Sequence, residues 1–240
     1  MLQGKNTYLC SMRHIKYLIL LFLAGCGQGP QQGFTAREEQ IIRQQDSLLY
    51  VTVMPLDSAV LRTPTADFGP AELRSPLLDE LMAKMLYTLR DPSQDGVGIA
   101  APQVGIGRRL IWVQRLDKAG EPFECYLNIQ VDSLLGDTVR GPEGCLSLPG
   151  LRGLVRRREV ACVSYISAAS LAHWRDMGAD PGLMPDRISE RIEGFTAIIF
   201  QHECDHLDGV LYIDRADSVF TNAAWLAERA AYDYSRPTWW

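Results

Sequence analysis

The run Gln201-His202-Glu203-Cys204-Asp205-His206 sets two imidazoles four residues apart with a carboxylate between them. On a helix, four residues advance the chain by about 400°, so His202 and His206 fall one turn apart on one face and can offer ring nitrogens to a single ion. Glu203 then lies beside the ion rather than on it. There it can take a proton from an attacking water and hand it to a leaving amine, which is general acid–base work. A lone histidine on such a helix would be read as a polar core residue; two histidines around a glutamate at this spacing read as a hydrolytic metal site.

A catalytic site of this kind needs a third protein ligand and an open position for water. No histidine follows His206, and Asp214 is the first acid after Asp208, so a third histidine downstream is excluded. The remaining soft donors outside the N-terminal stretch are Cys125, Cys145, Cys162 and Cys204. Cys204 falls about 200° around the helix from His202 and faces away from the ion. Cys125 and Cys162 lie in expected strands and read as small core residues. Cys145 stands on the glycine-rich bend Gly141-Pro142-Glu143-Gly144-Cys145, from which a thiolate can reach inward.

Several elements must position these groups. Phe195, Ile198, Ile199, His202 and His206 share one broad face at helical spacing, which predicts a buried helix over 194–207 stopped by Gly209. Leu77, Leu78, Leu81, Met82, Met85 and Leu86 recur at three- and four-residue steps, predicting an amphipathic helix over 75–90 between Ser75-Pro76 and Asp91-Pro92. Residues 96–105 read as a glycine-bounded loop. Strands are expected at 110–114, 124–128, 131–135, 138–140 and 159–166, with turns at Lys118-Ala119-Gly120, Gly136-Asp137 and Pro149-Gly150. Residues 36–50 carry a weak helical pattern and 51–62 read as extended. The polar stretch Ser167–Glu193 reads as an irregular insertion with a short helix at most. A short strand at 210–213 and a helix over 218–232 close the pattern, leaving an aromatic tail at 235–240.

Three separated motifs, Gly96-Val-Gly-Ile-Ala-Ala-Pro-Gln103, Glu143-Gly-Cys-Leu-Ser147 and Gln201-His-Glu-Cys-Asp-His206, together resemble those of the peptide deformylase family. The likeness runs from about Leu61 to Ala216 and includes Gly194-x-x-Ala197 and His206-Leu-Asp-Gly209. It implies an α+β fold with antiparallel sheets packed around a central metal-binding helix. It also implies that Cys145, His202 and His206 bind the metal, that Glu203 is the acid–base residue, and that Gln103 and the backbone N–H of Leu146 stabilise the oxyanion. The substrate implied is an N-formyl-methionyl peptide or nascent chain lying as an added strand, its methionine in an apolar pocket for which Val97, Phe195 and Ile198 are candidates. Gly98 lets the loop approach the substrate, and Arg152 matches a position near the bound peptide. A Cys-His-His set suits Fe(II), Zn(II), Ni(II) or Co(II), and the resemblance favours Fe(II).

Of the 240 residues, 47% are apolar and 22% charged, a composition able to bury a core. A formal charge of −5 with no basic run beyond Arg156-Arg157-Arg158 argues against a nucleic-acid partner. The six cysteines show no CxxC pair, unlike a small disulfide scaffold. Near the N-terminus, Met12-Arg-His-Ile-Lys, the apolar Tyr17–Leu23 and Leu23-Ala-Gly-Cys26 follow the order of a bacterial lipoprotein signal, with Met12 a candidate start and Cys26 the lipidated anchor. The expected organisation is therefore a signal over 1–26, a tether and short helix over 27–50, and a catalytic domain over 51–240. That predicts a bacterial cell-envelope location with membrane attachment through Cys26, or a cytoplasmic one where the signal is not used. Export pulls against the resemblance, whose enzymes act in the cytoplasm. It leaves as alternatives an envelope metallopeptidase or a peptide-binding lipoprotein that kept the metal site.

Overall fold

The computed structural model describes residues 33–52, 58–93, 96–178 and 182–223. The expected signal, Met12, Cys26, most of the tether and the 224–240 part of the final helix and tail lie outside the described residues.

The helices form where caps and apolar spacing coincide. Thr35 and Glu38 close a reciprocal capping box at the start of α1 (Ala36–Ile42). Ile42 is fully buried, and Lys84 donates to the carbonyls of Ile42 at 2.5 Å and Gln44 at 2.6 Å, tying the end of α1 to α4 (Pro76–Leu89). This segment, expected as tether and short helix, thus shares the core of the following domain. The extended reading of 51–62 gives way at its end to a turn of helix, α2 (Ser58–Leu61). After α3 (Pro70–Arg74), the Ser75 hydroxyl caps α4 with Pro76 in its first turn. Leu78, Leu81 and Met85 of α4 are fully buried, as their spacing predicts.

One sheet carries the site. Its order is β1-β2-β3-β4-β5, with β6 also paired to β4, and every pairing is antiparallel. The strands are β1 (Gly98–Ala100), β2 (Leu110–Gln114), β3 (Phe123–Glu143), β4 (Leu151–Ser167), β5 (Ile188–Glu193) and β6 (Ala216–Thr221). The α+β expectation holds, with four corrections. The loop over 96–105 contains β1 and a 3-10 turn at Ala101–Val104. The three strands expected over 124–140 are one bent strand. Gly136, at φ +76°, forms an irregularity between Leu135 and Thr138 instead of a turn, so the chain bends without leaving the ladder. The insertion holds α5 (Ala168–Asp176) and β5: Leu171 and Trp174 enter the core, and only Ile192 of β5 is buried. Finally, Tyr212–Asp214 is a 3-10 turn rather than a strand, and 216–221 pairs with β4 where a helix was expected from 218.

The helix α6 (Gly194–Leu207) has the boundaries that its pattern predicts. Gly209 follows at φ +74°, and a Cβ there would meet the Arg62 carbonyl at 2.8 Å, so glycine is required by both conformation and space. The apolar face of α6 buries Ala197, Phe200 and Leu207 completely, and Phe200 meets Tyr126 edge-on at 4.7 Å. Removing a buried phenylalanine costs about 3–5 kcal/mol. Such contacts hold α6 firmly enough to carry polar groups into the interior on its other face.

Candidate active site and metal centre

Five polar side chains of α6 are buried: Thr196, Gln201, Glu203, Asp205 and His206. Buried polar groups need partners, and their partners reveal how the helix is fixed. Gln201 bridges both backbone groups of Arg158, accepting at 3.1 Å and donating at 2.7 Å, which pins α6 to β4. Asp205 takes Arg157 at 2.6 Å and Arg215 at 2.7 and 2.8 Å. Arg157 also holds Glu143 through two bonds of 2.7 and 3.0 Å. Glu143 in turn bonds His202 Nδ1 at 2.8 Å. A hydrogen bond at Nδ1 leaves Nε2 as the nitrogen that can ligate.

The bend after β3 brings Cys145 to the helix. Its Sγ lies 3.2 Å from His206 Nε2, and ligand atoms of Cys145, His202 and His206 all fall within 4.8 Å of one another. Two imidazoles and a thiolate at that spacing can close around one ion at about 2.0–2.3 Å while leaving a fourth position open. Among the described residues this is the one cluster of three such groups. Two buried atoms at the site, Glu203 Oε2 and His206 Nδ1, have no hydrogen-bond partner among the described residues. The donor set therefore fits a divalent, borderline-soft ion.

Charge within the cluster is strongly redistributed. Burial alone would raise the Cys145 thiol, but the charge of His206 and hydrogen bonds from His202 and His206 outweigh it and hold the thiol well below its ordinary range. Burial would lower His202, yet Cys145 and Glu143 hold it well above the usual histidine value. Glu143 is kept down at about 2, because His202 and Arg157 overcome its burial. Glu203 is pushed up to about 7 by burial, the desolvation outweighing the two histidines. A carboxyl near neutrality in a closed site can both take and give a proton.

A groove of about 380 Å³ runs over this cluster. Glu203, His202 and Cys145 form its floor, and His206, 1% exposed, lies beneath. Gln103 and Leu146 border the sulfur, and Val97, Phe195 and Ile198 line the groove as one apolar stretch, joined by Ile199. Gly98 belongs to β1 at the sheet edge, and a Cβ there would fall 2.5 Å from Glu203 Oε1. Arg152 also lines the groove, its guanidinium lying against Gly144. The fold thus brings Val97, Gly98, Gln103, Cys145, Leu146, Arg152, Phe195, Ile198, His202 and Glu203 to the groove, whereas Cys125, Cys162 and Cys204 do not line it. Sequence reasoning assigned no role to Glu143, Arg157, Asp205, Ser147 or Tyr212. Tyr212 is 1% exposed and stacks on His202 at 5.9 Å and 22°. The position of Glu143, two residues before Cys145, was the available signal for one of them.

The sequence profile of the Polypeptide deformylase family matches residues 51–175 and 183–221. A peptide deformylase of Leptospira biflexa is 34% identical over 173 residues, covering 69% of this chain and 87% of that protein. Among solved structures, the actinonin-bound class I type b peptide deformylase of Acinetobacter baumannii is 32% identical with a TM-score of 0.57, covering 71% of this chain and 99% of that one. The same enzyme with Met-Ala-Ser bound aligns at a TM-score of 0.56 and 32% identity, over 70% of this chain and 98% of that one. The peptide deformylase of Thermotoga maritima gives 29% identity and a TM-score of 0.57, over 71% and 99% of the two chains.

Proposed function

We propose, from the premise that this chain belongs to the peptide deformylase family, a division of labour among its groove residues. The chain is a metallohydrolase that removes the N-terminal formyl group from formyl-methionyl peptides. The observation that carries the assignment of roles is the convergence of Cys145, His202 and His206, with donor atoms within 4.8 Å, beside a buried Glu203. Those three residues hold the ion, which in our reading is Fe(II) in the cell, with Zn(II), Ni(II) or Co(II) as substitutes. When bound, the ion supplies Lewis acidity toward the formyl oxygen and lowers the pKa of water at the site.

The remaining steps belong to the protein. The peptide lies along the free edge of β1, its backbone pairing as an added strand, and its methionine side chain enters between Val97, Phe195 and Ile198. Gly98 keeps that edge clear beside Glu203 Oε1. Glu203 takes the proton of the attacking water and returns it to the leaving amine, a double role that its value of about 7 permits. Gln103 and the Leu146 N–H face the oxygen on which charge develops, and each such donor is worth roughly 3–4 kcal/mol of barrier. Arg152 reaches the distal part of the peptide.

The cellular reading rests on the sequence alone. A basic stretch from Met12, the apolar Tyr17–Leu23 and Leu23-Ala-Gly-Cys26 support lipidation at Cys26 and attachment to the bacterial envelope. No helix among the described residues is long and apolar enough to cross a membrane. Labelling with a palmitate analogue, lost in Cys26→Ala, is the expected result; labelling that persists in that variant rejects the anchor. For the activity, iron-loaded full chain is expected to release formate from formyl-Met-Ala-Ser and to leave unblocked Met-Ala-Ser intact. Cleavage of the unblocked peptide without formate release would support the metallopeptidase reading instead.

A further inference from the structure

Gln103 is 1% exposed, and three contacts define the orientation of its amide. Oε1 accepts the Ala100 N–H at 2.8 Å. Nε2 lies 3.4 Å from Cys145 Sγ and 3.3 Å from Ser147 Oγ, and the Ser147 side chain is itself fully buried. A backbone N–H can be met only by an acceptor, so the Ala100 bond fixes which end of the amide is oxygen and aims the NH₂ at the Cys145 bend. That NH₂ has two hydrogens and two facing partners. The local chain explains the fixed aim: Pro102 helps start the short 3-10 turn at Ala101–Val104, which places the Gln103 side chain back over the Ala100 amide. A contact bridging 42 residues then joins the turn to the cysteine bend.

We propose that Gln103 donates a hydrogen bond to the Cys145 sulfur and so sets how strongly that sulfur gives electron density to the bound ion, with Ala100 and Ser147 holding the amide in place. The proposal rests on the reading of Cys145 as a ligand, and it adds to Gln103 a role separate from oxyanion stabilisation. A donor to a thiolate withdraws electron density from sulfur and leaves the ion more electrophilic, the established way in which outer hydrogen bonds tune a metal site. It also divides the two hydrogens of one amide. The hydrogen toward sulfur acts whether or not peptide is present, and the hydrogen toward Ser147 holds the amide plane that presents it. On this account the first and second sequence motifs act as one unit.

The test is the near-ultraviolet sulfur-to-cobalt charge-transfer absorption of the Co(II)-loaded full chain without substrate. Gln103→Leu and Gln103→Glu both lack the N–H donor, and the Glu variant keeps the shape of the side chain. Both are expected to move the band to longer wavelength, since the sulfur lone pair rises in energy when its hydrogen bond is lost. Ser147→Ala keeps the donor but removes its anchor and is expected to give a smaller shift in the same direction. An unmoved band in either Gln103 variant that retains the wild-type circular dichroism overturns the proposal. A Ser147→Ala shift as large as that of Gln103→Leu overturns it too, by assigning the sulfur's partner to Ser147. Absence of the band in the wild-type cobalt protein overturns both the proposal and the ligand role of Cys145, and so separates the two failures.

Discussion

His202 Nδ1 and Glu143 Oε2 lie 2.8 Å apart, and Arg157 holds both oxygens of the same carboxylate from the other side. The pair fixes the histidine's tautomer and ring orientation before any ion arrives. Partners of this kind are worth about 10–100-fold in metal affinity. Glu143→Gln is therefore expected to weaken Zn(II) binding by that factor in a chelator competition, with less effect on kcat at saturating metal. Unchanged affinity would remove Glu143 from the account of the site.

Arg157 neutralises two carboxylates at once, Glu143 and Asp205, and is 5% exposed. Its loss strands buried charge, which costs about 3–5 kcal/mol. For a chain of this size each kcal/mol moves Tm by about 2–4 °C. Arg157→Met is thus expected to lower Tm by roughly 10 °C in calorimetry, whereas the neighbouring exposed Arg156→Met should move it by little.

The close approach of β1 to the Glu203 carboxylate gives a steric prediction. A Cβ at Gly98 would sit 2.5 Å from Glu203 Oε1, while one at Gly141 meets nothing within 4 Å. Gly98→Ala is expected to cut kcat by about 100-fold, the order expected when a reacting group is misplaced by about 1 Å. Gly141→Ala should leave kcat unchanged. Equal kinetics in the two variants would show that Glu203 is not constrained by β1.

Acid stability should depend on a second cluster, away from the groove. Arg115 is 1% exposed and is held by Asp117 at 2.6 Å, Glu124 at 3.2 Å and Glu190 at 2.7 Å. The hydrogen bond from Arg115 lowers Asp117. Burial would raise Glu124 and Glu190, but Tyr126 and Lys118 overcome it for the first and Arg115 for the second, so both are lowered. Folded values below the unfolded ones, about 3.9 for Asp and 4.3 for Glu, mean that their contribution is complete above that range. It is lost as pH falls through the lower folded values. Tm should drop as pH falls below about 4, less steeply in Glu190→Gln. A profile with the same slope in both proteins would exclude this cluster as a source of acid sensitivity.

Much of α6 was legible because its signal is local: apolar residues at helical spacing, two histidines one turn apart, and Gly209 where a left-handed stop is needed. The strands were harder. Gly136-Asp137 has the composition of a turn, yet a single positive φ bends β3 without breaking its pairing. In β5 only Ile192 faces the core, so Ile188–Glu193 looks like polar insertion until its pairing with β4 is seen. Arg157 was hidden in a run of three arginines, because strand alternation turns it inward while Arg156 and Arg158 point out. The partners of the site, Glu143, Arg157 and Asp205, are brought together by the fold from three elements, and no spacing along the chain encodes that meeting.

Formate release by Glu203→Gln tests the central claim most directly, measured with formyl-Met-Ala-Ser on protein whose metal content is determined in the same sample. Removing the proton-transfer residue while keeping Cys145, His202 and His206 is expected to leave one equivalent of metal bound. The rate should fall by about 10²–10⁴-fold, the usual contribution of a positioned acid–base group. A metal-replete Glu203→Gln protein that releases formate at the wild-type rate would contradict the account.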